Sequence, residues 1–378
     1  MSKCKITGKV LAIQLGREDT QIVLMGKGAE ILHVVKVQTP DGAVEDGVIR
    51  NPDAVRTMLK TALKEEPAFK RVRQAVFTLC TSQVISETVS TPDLPDAKLE
   101  KLLTANVDMY FPVDVHDYQL VWQRIGPVVK ENGLKELAVQ LWAVPTTMLA
   151  RYYSVANACG LSVVAVDYCG HSIATAVGAS FSAKTKEQKK LSLNMEIGRP
   201  KKKAEQEQQK APDQNPDTDL FLTMEKDLIG MTFVQKDIVA FQRFIRCGSD
   251  PSYQLGELAM MVDYFSTMDV GRGSTITAIP CGALCNNRAL MGEMEDALGM
   301  MLAAYPSDHD PRFVLAAGAV LTTLDFGVPA LNKPGKVRKD LQTSLWQYLL
   351  ILAGGLALVA VIMMLSVPGS SGSLTSAD

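Results

Sequence analysis

Two stretches of the chain carry the same pattern of hydrophobic and polar positions. Residues 8–37 consist of apolar runs separated by polar turns, which predicts three consecutive strands, and a helix that begins at Pro52 follows them. Residues 220–248 again predict three strands, followed by helices over about residues 253–265 and 285–303. Three hairpin strands followed by a helix, occurring twice, predict a duplicated and bilobed α/β architecture.

Two segments interrupt this duplication. Residues 84–165 predict a second unit, in which a helix initiated by proline lies between strands. Residues 183–218 are rich in Lys and Gln and nearly devoid of aromatic residues, which predicts a disordered linker or insertion. The Lys run at residues 201–203 suits anionic lipid, but the neighbouring Glu205 and Glu207 favour a solvated loop.

A long apolar segment lies near the C-terminus. No Lys, Arg, Asp or Glu occurs from Leu341 to Ala377. At about 1.5 Å per residue, a helix from Trp346 to Val367 spans about 33 Å, close to the hydrocarbon core of a bilayer at about 30 Å. The sequence therefore predicts one transmembrane helix, anchored by aromatic and apolar side chains that include Trp346, Tyr348, Leu350, Leu356 and Ile362.

The charges that flank this segment predict its orientation. A basic flank precedes it, formed by Lys333, Lys336, Arg338 and Lys339, and only Asp378 follows it. Because positive charge stays on the cytoplasmic side, we expect the large N-terminal part to be cytoplasmic. The N-terminus carries no apolar run of the length that a signal peptide needs, which agrees with this orientation. These observations predict a single-pass protein that contacts the lipid bilayer.

The amino-acid composition excludes some classes of function and site. Of 378 residues, 47% are hydrophobic and 21% are charged, so the chain can bury a sizeable core. The balance of 39 basic and 41 acidic residues excludes a general nucleic-acid binder, which needs a basic face. The seven cysteines include no CxxC and predict reduced thiols. Cys281 and Cys285 lack a nearby His that would complete a zinc site, so no metal site is predicted.

Three stretches of the chain carry recognisable local patterns. Residues 47–63 form a strand–turn–helix pattern, residues 85–122 a proline, helix and aromatic-proline segment, and residues 155–177 a helix, strand, Asp and helix. These stretches resemble segments of the PilM family, the actin-like proteins of type IV pilus assembly. The apolar C-terminal segment is similar to that of GspL of type II secretion. The resemblance implies an α/β, bilobed actin-like (ribonuclease H-like duplicated) fold with an inserted FtsA/PilM-type subdomain, plus one C-terminal transmembrane helix.

The same resemblance implies an order of domains. We expect the first part of an actin-like lobe, the inserted subdomain, a return to the first lobe and then the polar linker. A second lobe with a closing helix, a basic juxtamembrane segment, the transmembrane helix and a short extracytoplasmic tail should follow. In chain order these segments cover residues 1–83, 84–165, 166–182, 183–218, 219–330, 331–344, 345–367 and 368–378.

The expected nucleotide site departs from the family pattern. Actin-like folds hold ATP between two glycine-containing hairpins, each of which usually opens with an Asp that helps to hold Mg²⁺. Here the hairpins read Gln14-Leu15-Gly16 and Thr223-Met224-Glu225, so both carboxylates and one glycine are replaced. The resemblance implies that Gly16, Asp167 and Gly282 contact the nucleotide if binding is retained, although Asp167 also suits a helix cap. We expect no ATP hydrolysis and no required cofactor, and weak binding of ATP and Mg²⁺ is left open.

These features predict a scaffold rather than an enzyme. The resemblance implies a membrane-anchored actin-like protein with a pseudo-ATPase site in the bacterial inner (cytoplasmic) membrane platform of a type IV pilus or type II secretion system. The expected partners are PilN-like and PilO-like inner-membrane proteins and an assembly ATPase, and a homodimer is left open. The alternative is a tethered, nucleotide-binding switch of the FtsA type, which predicts measurable affinity for Mg-ATP. A membrane-tethered sugar kinase needs an intact phosphate hairpin, which residues 223–225 do not provide.

Overall fold

The computed structural model describes residues 8–26, 30–111, 117–130, 133–178, 217–247, 255–306, 310–321 and 326, which belong to one compact unit. The transmembrane segment, its basic flank and most of the polar linker lie outside the described residues, so their structures stay predictions. Within the ranges described, no helix combines the length and the hydropathy that crossing a bilayer requires.

The strands and helices alternate in the order expected of two related lobes. The strands are β1 (Val10–Leu15), β2 (Asp19–Met25), β3 (Ile31–Gln38), β4 (Val44–Glu45), β5 (Val48–Ile49), β6 (Gln74–Leu79), β7 (Ile85–Thr91), β8 (Tyr118–Val129), β9 (Lys135–Pro145), β10 (Ser162–Tyr168), β11 (Thr218–Met224), β12 (Leu228–Gln235), β13 (Ile238–Arg246) and β14 (Ile276–Cys281). The helices are α1 (Pro52–Glu65), α2 (Asp96–Ala105), α3 (Val107–Tyr110), α4 (Thr146–Ala158), α5 (residues 169–178), α6 (Leu255–Thr267), α7 (Arg288–Leu298) and α8 (Val314–Leu321).

The first lobe is built on a five-stranded sheet with the order β10-β6-β1-β2-β3. The strands β1 to β3 form an antiparallel meander in which Val10 pairs with Met25, and β6 and β10 add parallel strands. Nearly every residue of β1 and β2 is buried, because the sheet is covered on both faces. On one face, Ala316 and Ala319 of α8 belong to the same core cluster as Val23.

The second lobe repeats this arrangement. Its four-stranded sheet has the order β13-β12-β11-β14, with β11 to β13 antiparallel and β14 parallel to β11. The core beneath it is aromatic, since Phe265 of α6 stacks on Phe233 with ring centroids 4.1 Å apart. The strands predicted within residues 8–37 and 220–248 are therefore present, and the duplicated bilobed α/β architecture is confirmed.

The inserted subdomain is a three-stranded sheet with the order β7-β9-β8, covered by α2 and α3. Leu99 and Leu103, four positions apart on α2, pack in one cluster with Val139 of β9. The hydroxyl of Thr88 on β7 donates a hydrogen bond of 2.8 Å to the carbonyl oxygen of Ala240 on β13. This bond joins the inserted subdomain to the second lobe.

One helix is shorter than the sequence pattern predicts. We expected residues 285–303 to be helical, but α7 covers only Arg288–Leu298. The Asn287 side chain caps its first turn by accepting a hydrogen bond from the backbone N–H of Leu290. Gly299 ends the helix because its backbone is left-handed, with a φ of 63°.

Candidate functional site

The two predicted hairpins face each other between the lobes. Gly16 follows β1 and Glu225 follows β11, at equivalent positions of the duplicated topology. A Cβ atom on Gly16 would lie 2.6 Å from the carbonyl oxygen of Asp19, so only glycine fits this turn. Gly16 also lines the small cavity that separates the hairpins.

The turn between β11 and β12 binds the first lobe through successive residues. Glu225 Oε1 accepts a hydrogen bond of 3.3 Å from Gln14 Nε2 on β1. The next residue, Lys226, places its Nζ 3.1 Å from Glu18 Oε2. The turn that would cradle phosphates in the expected nucleotide site therefore joins the two lobes.

The third contact of this turn is buried. The Asp227 carboxylate accepts a hydrogen bond of 2.9 Å from the backbone N–H of Asp46. Asp46 has a left-handed backbone with a φ of 48°, a conformation that costs a non-glycine residue about 1 kcal/mol or more. Its own carboxylate accepts two hydrogen bonds of 2.7 Å, from the backbone N–H and the hydroxyl of Ser82. These bonds hold Asp46 in the conformation that presents its N–H to Asp227.

The Glu225 carboxyl group of the cleft has a perturbed pKa. Its side chain is only partly exposed, and Oε1 also accepts a hydrogen bond of 3.2 Å from the backbone N–H of Ala283. Burial raises the pKa of Glu225 to about 7, and the hydrogen bonds from Ala283 and Gln14 offset this only in part. At neutral pH the carboxyl group therefore exists in both its protonated and its charged form.

Little space remains between the hairpins. The cavity has a volume of about 20 Å³, which is room for about one water molecule. It is lined by the turn after β1, by residues 225–228 and by Gly47, Cys80 and Ala283. Sites for small organic ligands usually measure about 300–1,000 Å³. The described residues therefore leave little space between the two hairpins.

Gly282 lies beside the same turn, and its contact with a nucleotide stays a prediction. Its backbone is left-handed, with a φ of 88°, and a Cβ atom would lie 2.8 Å from the carbonyl oxygen of Met224. The same Cβ atom would lie 3.0 Å from Glu225 Oε1. Glycine is required here because the chain passes so close to the turn after β11. The structure therefore brings Gly16, Glu225 and Gly282 to one cleft.

Asp167 occupies a different environment. It lies on β10, is fully buried, and does not line the cavity between the hairpins. Its carboxylate lies 3.0 Å from His171 Nδ1 and accepts a hydrogen bond of 2.8 Å from the Ser172 hydroxyl. Both partners belong to the beginning of α5, so Asp167 joins β10 to that helix. The helix-cap role and the nucleotide contact of Asp167 both stay predictions.

Several residues of the cleft were not singled out from the sequence. No sequence motif includes Asp46, Ser82 or Asp227. The hydrogen bond from the N–H of Asp46 to the Asp227 carboxylate joins positions 181 residues apart. The Asp46-Gly47 dipeptide is a turn signal, but a turn signal does not reveal a distant partner. Within the part of the chain described, no group of three or more His, Cys, Asp or Glu side chains is placed to hold a metal ion.

A comparison with known protein families shows to which family the chain belongs. The family model for the type IV pilus assembly protein PilM matches residues 12–201, just over half of the 378 residues. The chain belongs to the PilM family. No curated protein matches it closely. The resemblance to the PilM family is therefore confirmed, and so is the actin-like fold that it implied.

One solved structure supports this fold, and others are similar over most of the chain. A chain of a PilM–PilN type IV pilus biogenesis complex is 16% identical, with a TM-score of 0.59, and the match covers 82% of this PilM-family chain and 97% of that chain. The cytoplasmic domain of EpsL, an inner-membrane component of the type II secretion system of Vibrio cholerae, is 14% identical, with a TM-score of 0.46 and coverage of 84% and 97%. A Bacteroides thetaiotaomicron protein with an actin-like ATPase fold is 10% identical, with a TM-score of 0.41 and coverage of 85% and 98%.

Proposed function

We propose that this PilM-family chain is a membrane-anchored scaffold of the inner-membrane platform of a type IV pilus or type II secretion system, and that it docks other assembly proteins without hydrolysing ATP. The closed cleft carries the proposal. The residue in the phosphate-side turn of the second lobe is Glu225, which bonds to Gln14 of the first lobe and to Ala283.

The cleft residues do not fit Mg-ATP. The Glu225 and Asp227 carboxyl groups line the cavity between the hairpins, and a negative charge there would repel nucleotide phosphates. Gln14 offers a neutral amide where the family usually has the Asp that helps to hold Mg²⁺. A cavity of about 20 Å³ is also far smaller than a triphosphate. We therefore assign no hydrolytic step to this chain.

Membrane anchoring is supported by the sequence alone. The stretch from Leu341 to Ala377 is free of charged residues, and its apolar centre at residues 346–367 has the length of one span. The basic flank at residues 333–339 orients the actin-like unit towards the cytoplasm. In this arrangement the span holds the actin-like unit beside other inner-membrane proteins.

The proposed partners follow from the family and from the fold. The solved relative is named as a PilM–PilN complex, and we propose a PilN-like partner for this chain. A PilO-like protein and an assembly ATPase complete the set. Contacts between the lobes and the inserted subdomain, such as Thr88 with Ala240, join three modules into one unit that can present a fixed surface.

Calorimetry with Mg-ATP tests the absence of nucleotide chemistry. We expect the full chain in neutral detergent to give no saturable heat up to millimolar nucleotide. The variant Glu225→Gln removes the charge but keeps the size of the side chain. If the closed cleft excludes ATP by its shape, this variant also gives no heat, whereas binding that appears only in the variant assigns the exclusion to charge. Micromolar binding by the unmodified chain would overturn the proposal in favour of the FtsA-type switch.

Fractionation and co-purification test the scaffold role. We expect the full chain in the membrane fraction, and a chain with Leu356→Arg and Ile362→Arg outside it, because each charge at mid-bilayer costs about 2.5–3.5 kcal/mol. The matched control is Lys201→Gln with Lys202→Gln, which alters the polar linker only. Co-purification of a PilN-like protein with the full chain supports docking. Equal solubility of all forms, or no PilN-like protein in the complex, contradicts the proposal.

A further inference from the structure

A second cavity lies on the first lobe and shares no lining residue with the cleft between the hairpins. It is bounded by the last turns of α1, by the turn that leads into β6 and by the end of α4. Its volume is about 430 Å³, within the range of about 300–1,000 Å³ that is usual for small-molecule sites. The cavity is therefore large enough to hold a ligand.

The rim of this cavity is basic. Five cationic side chains line it, all of them exposed: Lys60, Lys64, Lys70, Arg71 and Arg73. No Asp or Glu lines the cavity. Among the described residues, none of the five cations forms an ion pair. The chain as a whole has a net charge of -2, so the positive charge at this cavity is a local feature of the surface.

The backbone conformation of residues 70–73 places several of these cations at the same cavity. Successive residues of an extended strand point to opposite sides, yet residues 70–73 all line the same cavity. Arg71 allows this because its backbone is left-handed, with a φ of 70°. Such a conformation is unfavourable for a non-glycine residue, so the turn has an arginine at a position that glycine or asparagine would adopt more easily.

The Glu66 side chain, two residues after Lys64, is engaged elsewhere. Glu66 lies 3.2 Å from His33 Nε2 and accepts a hydrogen bond of 3.2 Å from the backbone N–H of Ala68. The floor of the cavity is apolar, since Phe69 and Val72 are buried. A basic rim over an apolar floor suits an anion that carries an apolar part, which is a common design of ligand sites.

Helix stability does not account for this set of charges. Lys64 lies in the last turn of α1, where a cation is favourable next to the helix dipole. Lys60 lies four positions earlier, and like charges at this spacing on a helix repel each other. Arg71 adds the cost of its backbone. The arrangement therefore works against local stability at two positions.

We propose that this cavity binds a ligand that carries a phosphate group. Two arginines and three lysines surround it, and the planar guanidinium of arginine donates paired hydrogen bonds to phosphate oxygens. Either a soluble phosphate compound or the headgroup of an anionic lipid supplies this chemistry. The site is independent of the nucleotide cleft and of the proposed scaffold role.

Calorimetry of the full chain in neutral detergent and low salt tests the site with two probes. One probe is pyrophosphate, and the other is dihexanoyl phosphatidylglycerol below its micelle concentration. The cavity variants are Lys60→Gln with Lys64→Gln, and Arg71→Asn with Arg73→Gln, where Asn tolerates the left-handed backbone. The control is Lys98→Gln with Lys101→Gln, two exposed lysines of the inserted subdomain.

We expect saturable binding of at least one probe, with affinity about tenfold lower or more in each cavity variant, because each variant removes hydrogen bonds between charged groups. The control variant should bind as the unmodified chain does. Binding of pyrophosphate indicates a soluble phosphate compound, and binding of the lipid alone indicates a headgroup. No binding of either probe, or equal affinity in the cavity variants and the control, overturns the proposal. Unchanged melting temperatures confirm that the variants are folded.

Discussion

Glu225→Gln should remove a pH dependence from the stability of this protein. The carboxyl group lies in the cleft between the lobes, where burial raises its pKa to about 7 from 4.5. Below pH 4.5 the folded and the unfolded chain both carry the proton, and the folded state has its full stability. Between pH 4.5 and 7 the unfolded chain releases the proton first, so the free energy of unfolding falls as the pH rises. Above pH 7 the folded state has released it too, and the fall ends.

The size of this effect follows from the two pKa values. A tenfold change in proton affinity corresponds to about 1.4 kcal/mol, which places the upper bound of the loss at about 3 kcal/mol. Because the Glu225 side chain retains some contact with water, we expect about 2 kcal/mol. Glutamine keeps an oxygen that can accept the hydrogen bonds from Gln14 and Ala283, so the variant loses the titration but not the contacts.

The assay is urea unfolding at several pH values between 4.5 and 8, followed by tryptophan fluorescence. Trp142 lies on β9 of the inserted subdomain, is fully buried against His171 and Phe326, and reports on the packing of that subdomain against α5. Other carboxyl groups also titrate in this range, so the quantity to compare is the difference in unfolding free energy between the variant and the unmodified chain. That difference should be small at pH 4.5 and should favour the variant by about 2 kcal/mol more at pH 8.

The control is Glu18→Gln, at the same cleft. Glu18 is about half exposed and pairs with Lys226, and a surface ion pair contributes less than about 1 kcal/mol. The pH dependence that arises from Glu225 should persist in this variant. Parallel pH profiles for the unmodified chain and Glu225→Gln would refute the reasoning, because they would mean that the carboxyl group is fully hydrated and the cleft open.

Three further substitutions test the packing around the cleft. Gly230→Ala should lower the free energy of unfolding by about 1–3 kcal/mol in urea, because its Cβ atom would collide with the Phe244 ring; Gly256→Ala, with open space around it, is the control. Gly282→Ala should cost about 2 kcal/mol in the same assay, since the left-handed backbone and the carbonyl oxygen of Met224 oppose a side chain, and an unchanged midpoint would contradict the closed turn. Asp227→Ala should cost about 1–3 kcal/mol by leaving the buried N–H of Asp46 unpaired, whereas Asp227→Asn keeps an acceptor and should restore most of the loss.

Local pattern predicted much of this molecule. The apolar runs of residues 8–37 and 220–248 predicted both meanders, because a strand buried on two faces needs an almost continuous hydrophobic sequence. The altered hairpins at Gln14 and Glu225 were also visible, since the chemistry of a phosphate turn depends on a few adjacent residues. The end of α7 was missed, because the apolar pattern continues beyond Gly299 and only the left-handed backbone there stops the helix.

The partners of the cleft residues had to come from the tertiary structure. The sequence by itself determined that Glu225 replaces the expected glycine, but burial against Gln14 and Ala283 decides the pKa of its carboxyl group. It determined that Asp46-Gly47 forms a turn, but folding alone brings the N–H of Asp46 to Asp227. In the sequence, the cations at Lys60, Lys64 and residues 70–73 are separate surface charges. In the folded chain they line one cavity, where the backbone of Arg71 is left-handed. Strand and helix periodicity are local properties of a chain, whereas burial and contacts between distant residues exist only once the lobes have packed together.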